Sequence, residues 1–371
     1  MKKYFASTSK TYGVRRQAQR DAAFPYCERR TQPAPRQASI QSGVALRLPP
    51  HSIFLHGAVG PSLAIRVAVR IFISLICGVI SICLTTHAAI SAAQHVVVIG
   101  CDGFGSLGFT PTNAPVLHKL MREGSYTLHD RGVMPTSSSP NWASMIMGAG
   151  PEQHGVTSND WETNKFDITP VAVGSGGIFP TIFGVIREQK PGAMIACVHD
   201  WDGFGRLIEP RIPDLLENVK GAAATAERAI EIIRQRKPAF LFIHFDDVDH
   251  AGHTFGWKSP EYFQAVEQID GLIDKVLGAL KDAGIRKQTI VIMTADHGGK
   301  EKSHGGATVE ELEIPLILSG PGVTAGHEIK SAVNTYDLAP TIAWIFGLRP
   351  PTCWIGKPVL EAFGPAAKSR D

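Results

Sequence analysis

Four short runs of this 371-residue chain, His95 to Gly100, Met194 to Val198, Ala239 to Phe245 and Thr289 to Met293, are apolar on both faces. A strand with one wet face alternates polar and apolar residues; runs like these must be covered on both sides, as in a mainly parallel sheet held between helical layers. Around them, and around a fifth run at Ile314 to Leu318, lie helical patterns at Ala114 to Glu123, Pro140 to Met147, Phe179 to Gln189, Ala222 to Arg236, Pro260 to Asp282 and Leu338 to Phe346. The alternation predicts an α/β three-layer sandwich with a mainly parallel central sheet, built as one domain over residues 94–371. Residues 150–179 are irregular and glycine-rich, and are expected to form a lip beside a binding site.

The formal charge of +3 averages two unlike pieces. Residues 1–70 hold 12 of the 37 Lys and Arg and 2 of the 34 Asp and Glu, a net of +10, which leaves −7 for the remainder. A basic front on an acidic body argues against a nucleic-acid-binding domain, whose charge should lie on the folded surface. Residues 1–66 show no hydrophobic period and are expected to form a disordered basic extension. Arg66 and Arg70 then precede the uncharged run Ile71 to Leu84 and the small residues Ala88 to Ala93, the order of a secretory signal. Segment 67–93 therefore reads as a signal peptide cleaved after Ala93, giving a periplasmic or secreted protein, and N-terminal sequencing would show Gln94 first. The alternative is a retained signal-anchor with an extracytoplasmic catalytic domain, so any membrane attachment is confined to these residues. Three of the six cysteines, Cys101, Cys197 and Cys353, lie in the body. Their odd number cannot all pair, and Cys101 and Cys197 end apolar runs as small buried hydrophobes do.

Ligands of open α/β sheets gather beyond the carboxyl ends of the strands. There the apolar runs break off into Cys101-Asp102-Gly103, Asp246-Asp247-Val248-Asp249-His250-Ala251-Gly252-His253 and Asp296-His297-Gly298, and a further His follows at Ser303-His304-Gly305-Gly306. Carboxylates and imidazoles without a cysteine cluster suit Zn²⁺ or another first-row divalent ion used as a Lewis acid. One Asp at a strand end is ordinarily a turn former or a helix cap. Three strand ends presenting acid or imidazole at one edge are not explained that way. In Ser137-Ser138-Ser139-Pro140-Asn141, Ser139-Pro140 reads as a helix start with Ser138 just before it. Free amide N–H groups and the positive end of the helix dipole there favour a phosphate and a developing alkoxide. A hydroxyl still needs activation, for which metal coordination is one route; the blander reading of these serines is capping.

Taken with Gly150-Pro151-Glu152-Gln153-His154-Gly155, these motifs resemble the alkaline phosphatase superfamily, and within it the type I phosphodiesterase and nucleotide pyrophosphatase branch. They run in that family's order across about residues 95–345. The resemblance implies an alkaline-phosphatase-like fold and two divalent metal ions, of which Zn²⁺ is the expected identity. One would be held by Asp249, His253 and His304, the other by Asp102, Asp296, His297 and the nucleophile hydroxyl. It aligns the nucleophile with Ser138, where that branch more usually has Thr, and implies that Asn141 bonds a non-bridging phosphoryl oxygen. In-line attack by Ser138 would give a phosphoseryl intermediate that water then hydrolyses.

A sulfatase would need Arg where Trp142 stands. Alkaline phosphomonoesterase activity is the closer alternative, since a dianionic monoester gains from an extra cation, and Lys165 in the lip offers one. A diester needs apolar surface for its second substituent instead, which Trp142, Trp161, Phe166 and Phe179 would supply by stacking; core packing is their plainer role. The expected substrate is thus a small phosphoester or nucleotide-like molecule, with diesters or pyrophosphates favoured. A non-catalytic anion-binding protein would have no need of Ser138.

Overall fold

The structure is a computed structural model that describes residues 93–364 apart from 111, 164 and 175. The expected basic extension and all of segment 67–93 except Ala93 lie outside the described residues. In chain order the strands are β1 (His95–Cys101), β2 (Ser125–Arg131), β3 (Ile195–His199), β4 (Leu215–Asn218), β5 (Phe240–Phe245), β6 (Thr289–Thr294), β7 (Glu313–Ser319) and β8 (His327–Glu328). They form one sheet in the order β4-β3-β5-β1-β6-β7-β2-β8. The helices are α1 (Pro115–Glu123), α2 (Ser138–Met147), α3 (Pro151–His154), α4 (Ile182–Gln189), α5 (Ala222–Arg236), α6 (Asp247–Phe255), α7 (Pro260–Asp282), α8 (Val309–Leu312) and α9 (Leu338–Ile345).

Alternate residues of the central strands enter different cores, which is why their sequences are apolar throughout. Val96 and Val98 of β1, Phe240 and Phe242 of β5 and Ile290 and Ile292 of β6 pack with Trp142 and Ile146 of α2, Phe183 of α4 and Ile342 of α9. Val97 and Ile99, Leu241 and Ile243, and Val291 and Met293 pack on the other side with Leu117 of α1, Ile233 of α5 and Ile269 of α7. The expected three-layer α/β sandwich is thus realised. Strands β4, β3, β5, β1 and β6 run parallel, while β7 is antiparallel to both β6 and β2.

Three strands escape the sequence pattern. In β2 the buried positions include Ser125, Thr127 and Asp130, so no apolar run marks it, and β4 and β8 are four and two residues long. Helix α2 starts at Ser138 with Ser137 as its N-cap, two residues before the expected Pro140, so Ser138 is its first helical residue. Cys101, Cys197 and Cys353 are free thiols, the first two buried. Among the described residues no helix is long and apolar enough to cross a membrane.

The start of segment 150–179 is fixed to α2 by His154, whose Nδ1 accepts from Val156 N at 3.0 Å while its Nε2 lies 2.9 Å from Ser144 Oγ. That arrangement makes Nε2–H the donor to Ser144. Burial pushes the imidazole down to about 3. The unfolded chain protonates near 6.5, so the stabilising contribution is complete above that pH and is lost as pH falls toward 3. Wild type should lose up to about 1.4 kcal/mol per pH unit in that window that His154→Gln does not lose, as read by urea denaturation.

Candidate functional site

Strand register brings the polar strand ends level. Cys101 pairs with Phe245, Gly100 with Thr294 and His199 with His244, so Asp102, the start of α6, and Asp296-His297 emerge at one edge of the sheet. The hydrophobic pattern marks no helix at Asp247–Phe255, yet α6 forms there and puts Asp249 and His253 one turn apart on one face. His304 arrives from the loop after β6, where Thr136 holds it: His304 Nδ1 lies 2.8 Å from Thr136 O, and Gly305 N donates to Thr136 Oγ1 at 3.0 Å. Gly103 has φ +71° and its backbone lies against Asp249; a Cβ there would come within 2.7 Å of Asp249 Cα. Its N–H donates to Asp296 Oδ1 at 3.1 Å.

Two donor sets result. In the first, Asp249 Oδ2 is 3.4 Å from His253 Nε2, Asp249 Oδ1 is 3.7 Å from His304 Nε2, and the two Nε2 atoms are 3.1 Å apart. In the second, His297 Nε2 lies 3.4 Å from Asp102 Oδ1, 3.2 Å from Asp296 Oδ2 and 3.3 Å from Ser138 Oγ. The sets adjoin, since Asp102, Asp249 and His297 each bring a donor within 4.8 Å of the others.

These contacts are not ordinary ion pairs. Nδ1 of His253, His297 and His304 each faces a backbone carbonyl, of Lys302, Gly298 and Thr136, at 3.0, 2.8 and 2.8 Å. Nδ1 therefore carries the proton, and Nε2 turns a bare lone pair toward the carboxylates. Burial pushes His297 down to about 3 and His304 below its usual value, so neither imidazole brings positive charge. Asp102 Oδ1, Asp249 Oδ1 and Asp296 Oδ2 are buried without a hydrogen-bond partner. Burial and the charge of Asp102 push Asp249 and Asp296 up. For Asp102 burial acts the same way, but the hydrogen bonds from His244 and Trp142 to Oδ2 oppose it and the carboxyl is held low. Lone pairs facing one another at such spacings are the arrangement of cation ligands: two atoms bound to one tetrahedral ion lie roughly 3.3 Å apart. The residues present fit divalent cations.

The family model of type I phosphodiesterase / nucleotide pyrophosphatase matches residues 96–313, more than half of the chain. The chain belongs to this family. Human ectonucleotide pyrophosphatase/phosphodiesterase family member 1 is 25% identical over 198 residues, 51% of this chain and 21% of that protein. GPI ethanolamine phosphate transferase 1 of Yarrowia lipolytica is 27% identical over 278 residues, 66% of this chain and 29% of that protein. The chain thus spans less than a third of the length of these relatives. Human ectonucleotide pyrophosphatase / phosphodiesterase 5 superposes with a TM-score of 0.61 at 17% identity, covering 73% of this chain and all of that one. A 2-O glycosaminoglycan sulfatase reaches 0.59 at 18% identity, covering 73% and 74%. The fold is therefore alkaline-phosphatase-like and shared with sulfatases, so fold alone does not choose between phosphate and sulfate.

Within this phosphodiesterase-family site, four of the expected contacts are placed otherwise. Asn141 is fully buried; its Oδ1 accepts from Val133 N at 2.7 Å and its Nδ2 donates to Pro135 O and Ser137 O at 3.1 and 2.9 Å. It shapes the segment before α2 and has no donor left for a phosphoryl oxygen. Trp142 is also fully buried, with Nε1 donating to Asp102 Oδ2 at 3.0 Å; His244 Nε2 lies 3.2 Å from the same oxygen. Its ring offers no stacking face, but its indole helps leave Oδ1 of Asp102 free. Trp161 is packed in the core against Phe166. Lys165 is exposed and bridged through its backbone to Glu162, whereas the cation that reaches the start of α2 is Arg206.

Asn159 was missed. Its Oδ1 accepts from Ser139 N at 2.8 Å, the residue is exposed, and its Nδ2 makes no hydrogen bond among the described residues. No local sequence signal marks it, because it lies 21 positions after Ser138 and only the folded segment 150–179 brings it back.

Proposed function

We propose that the chain is a metal-dependent phosphodiesterase or nucleotide pyrophosphatase with Ser138 as nucleophile. The observation that carries this reading is the convergence of three orphaned carboxylate oxygens and three bare Nε2 atoms beside a hydroxyl at a helix N-terminus. Asp249, His253 and His304 would hold one divalent cation, and Asp102, Asp296, His297 and Ser138 a second, with Zn²⁺ the best match to these donors. Bound there, such ions supply Lewis acidity that favours the alkoxide form of the serine and offsets charge at phosphorus. Ser138 Oγ attacks phosphorus, the bond to the leaving alkoxide or phosphate breaks, and a phosphoseryl ester forms. Water then attacks the same phosphorus and returns the hydroxyl. The dipole of α2 favours the alkoxide and the phosphoryl charge. Asn159 Nδ2, in place of Asn141, donates to a non-bridging oxygen.

Arg206, the cation nearest the start of α2, is already committed to Glu162 Oε1 at 3.2 Å and Ser139 Oγ at 3.3 Å, and its Nε is buried, so its charge is partly neutralised before a monoester could use it. This supports diesters or pyrophosphates over monoesters, and a solved murine relative contains AMP, in keeping with a nucleotide-like substrate. An extracytoplasmic location accords with the order of residues 66–93. Initial rates should favour bis(p-nitrophenyl) phosphate over p-nitrophenyl phosphate by at least about tenfold in kcat/KM, the equivalent of one mispaired charged hydrogen bond. A monoester preference would replace this reading with a phosphomonoesterase.

A further inference from the structure

We infer that Arg206 is a positioning residue that latches the lip onto the nucleophile helix and thereby fixes the Asn159 carboxamide; the inference rests on the functional reading above. Arg206 sits in the short turn Gly205–Leu207 beyond β3, at the edge of the sheet where the acidic strand ends converge. That turn is rigid by construction. Phe204 and Leu207 on either side are fully buried, and Gly205 packs so tightly on His199 that a Cβ would come within 2.7 Å of its Nε2.

From this base the guanidinium joins three groups. Nη2 donates to Ser139 Oγ at 3.3 Å and to the backbone carbonyl of Asn159; Nη1 donates to Glu162 Oε1 at 3.2 Å. Trp201 backs the guanidinium at 5.8 Å from its ring centre. Ser139 and Asn159 also meet directly, through Ser139 N–H and Asn159 Oδ1 at 2.8 Å. A closed triangle results: the first turn of α2, the lip backbone at 159, and one nitrogen of Arg206 bonded to both. Asn159 itself is exposed on a segment without helix or strand, so its side chain has little else to fix it.

The chemistry gives this triangle a function. A donor aimed at a phosphoryl oxygen lowers the barrier only if its position is set before the charge develops. The planar fork of Arg sets two nitrogens at fixed positions, so Nη2 can hold Ser139 and Asn159 while Nη1 holds Glu162; one ammonium or one neutral carboxamide does not reproduce both arms. Arg206 therefore acts through Asn159 and touches no reacting atom.

The test is a double-mutant cycle in the metal-loaded protein on bis(p-nitrophenyl) phosphate. Asn159→Ala is expected to lower kcat about 100-fold, and Arg206→Gln about 10-fold, with KM changed less than kcat in both. The double variant should be no slower than Asn159→Ala alone, and Arg206→Lys should recover only part of the loss. Equal effects of Arg206→Gln in the presence and absence of Asn159 would overturn the latch while leaving the functional reading intact. If Arg206→Gln does not purify as a folded protein, Arg206→Lys takes its place in the same cycle. Tryptic cleavage after exposed Lys165 gives a readout independent of turnover: the latch predicts faster cleavage in Arg206→Gln at unchanged Tm, and an unchanged cleavage rate overturns it. Should wild type hydrolyse no phosphoester, the functional reading fails and the cleavage rate still decides the latch.

Discussion

Ser138→Ala is expected to lower turnover of a phosphodiester by about 1,000-fold or more while leaving metal content and Tm unchanged. Removing this one oxygen deletes the attacking atom, and the rate that remains is that of water using the rest of the site. The substitution should be structurally silent. Ser138 is the first residue of α2, makes no capping bond, and contacts the cluster only through Oγ at 3.3 Å from His297 Nε2. His297 keeps its orientation because Nδ1 is tied to Gly298 O. Mass spectrometry of wild type quenched during turnover should find phosphate on the peptide containing Ser138, and none in the variant. Neighbouring Ser139 provides the control: it is fully buried, with its N–H and Oγ occupied by Asn159 and Arg206, so it cannot take over. Full activity in Ser138→Ala would remove the proposed nucleophile.

What the sequence makes legible follows from what each residue has to satisfy. Strands β1, β3, β5 and β6 are buried on two faces and must be apolar, so their positions and the acidic groups at their ends can be read directly. Strand β2 buries Ser125 by bonding its hydroxyl to Thr324 O and Ala362 O, partners about two hundred residues away that no local pattern contains. The spacing of Asp249 and His253 is itself a helical signal, although the strand before it obscures where the helix begins. Trp142 is one turn beyond Ser138 and does reach the site, but from beneath, as a donor to Asp102. Sequence proximity cannot tell a residue that faces a cleft from one that supports its floor. Asn141 fails for the same reason: one turn from Ser138, its amide is consumed by the segment that leads into the helix.

Metal removal should destabilise the protein in two steps, because the two donor sets differ in burial. His253 has a side-chain exposure of 44%, and Asp249 and His304 of 14% and 10%, whereas Asp102, Asp296 and His297 are at 1% or less. A chelator should therefore draw one ion per chain from the first set quickly and the second slowly, as followed by metal analysis after desalting. Each loss leaves carboxylate oxygens buried without a donor, since the imidazoles beside them turn lone pairs rather than protons toward them. An ion held at a thousand times its Kd contributes about 4 kcal/mol, so full chelation should lower Tm by roughly 10 °C or more for a domain of this size. Added Zn²⁺ should restore both Tm and activity. The double variant Asp249→Asn, Asp296→Asn discriminates the cause: without two anionic ligands it should bind little metal, and without their buried charge it should show almost no further loss of Tm with chelator. A chelator that leaves wild-type Tm unchanged would mean that these six side chains hold no ion and that their lone pairs are satisfied by water.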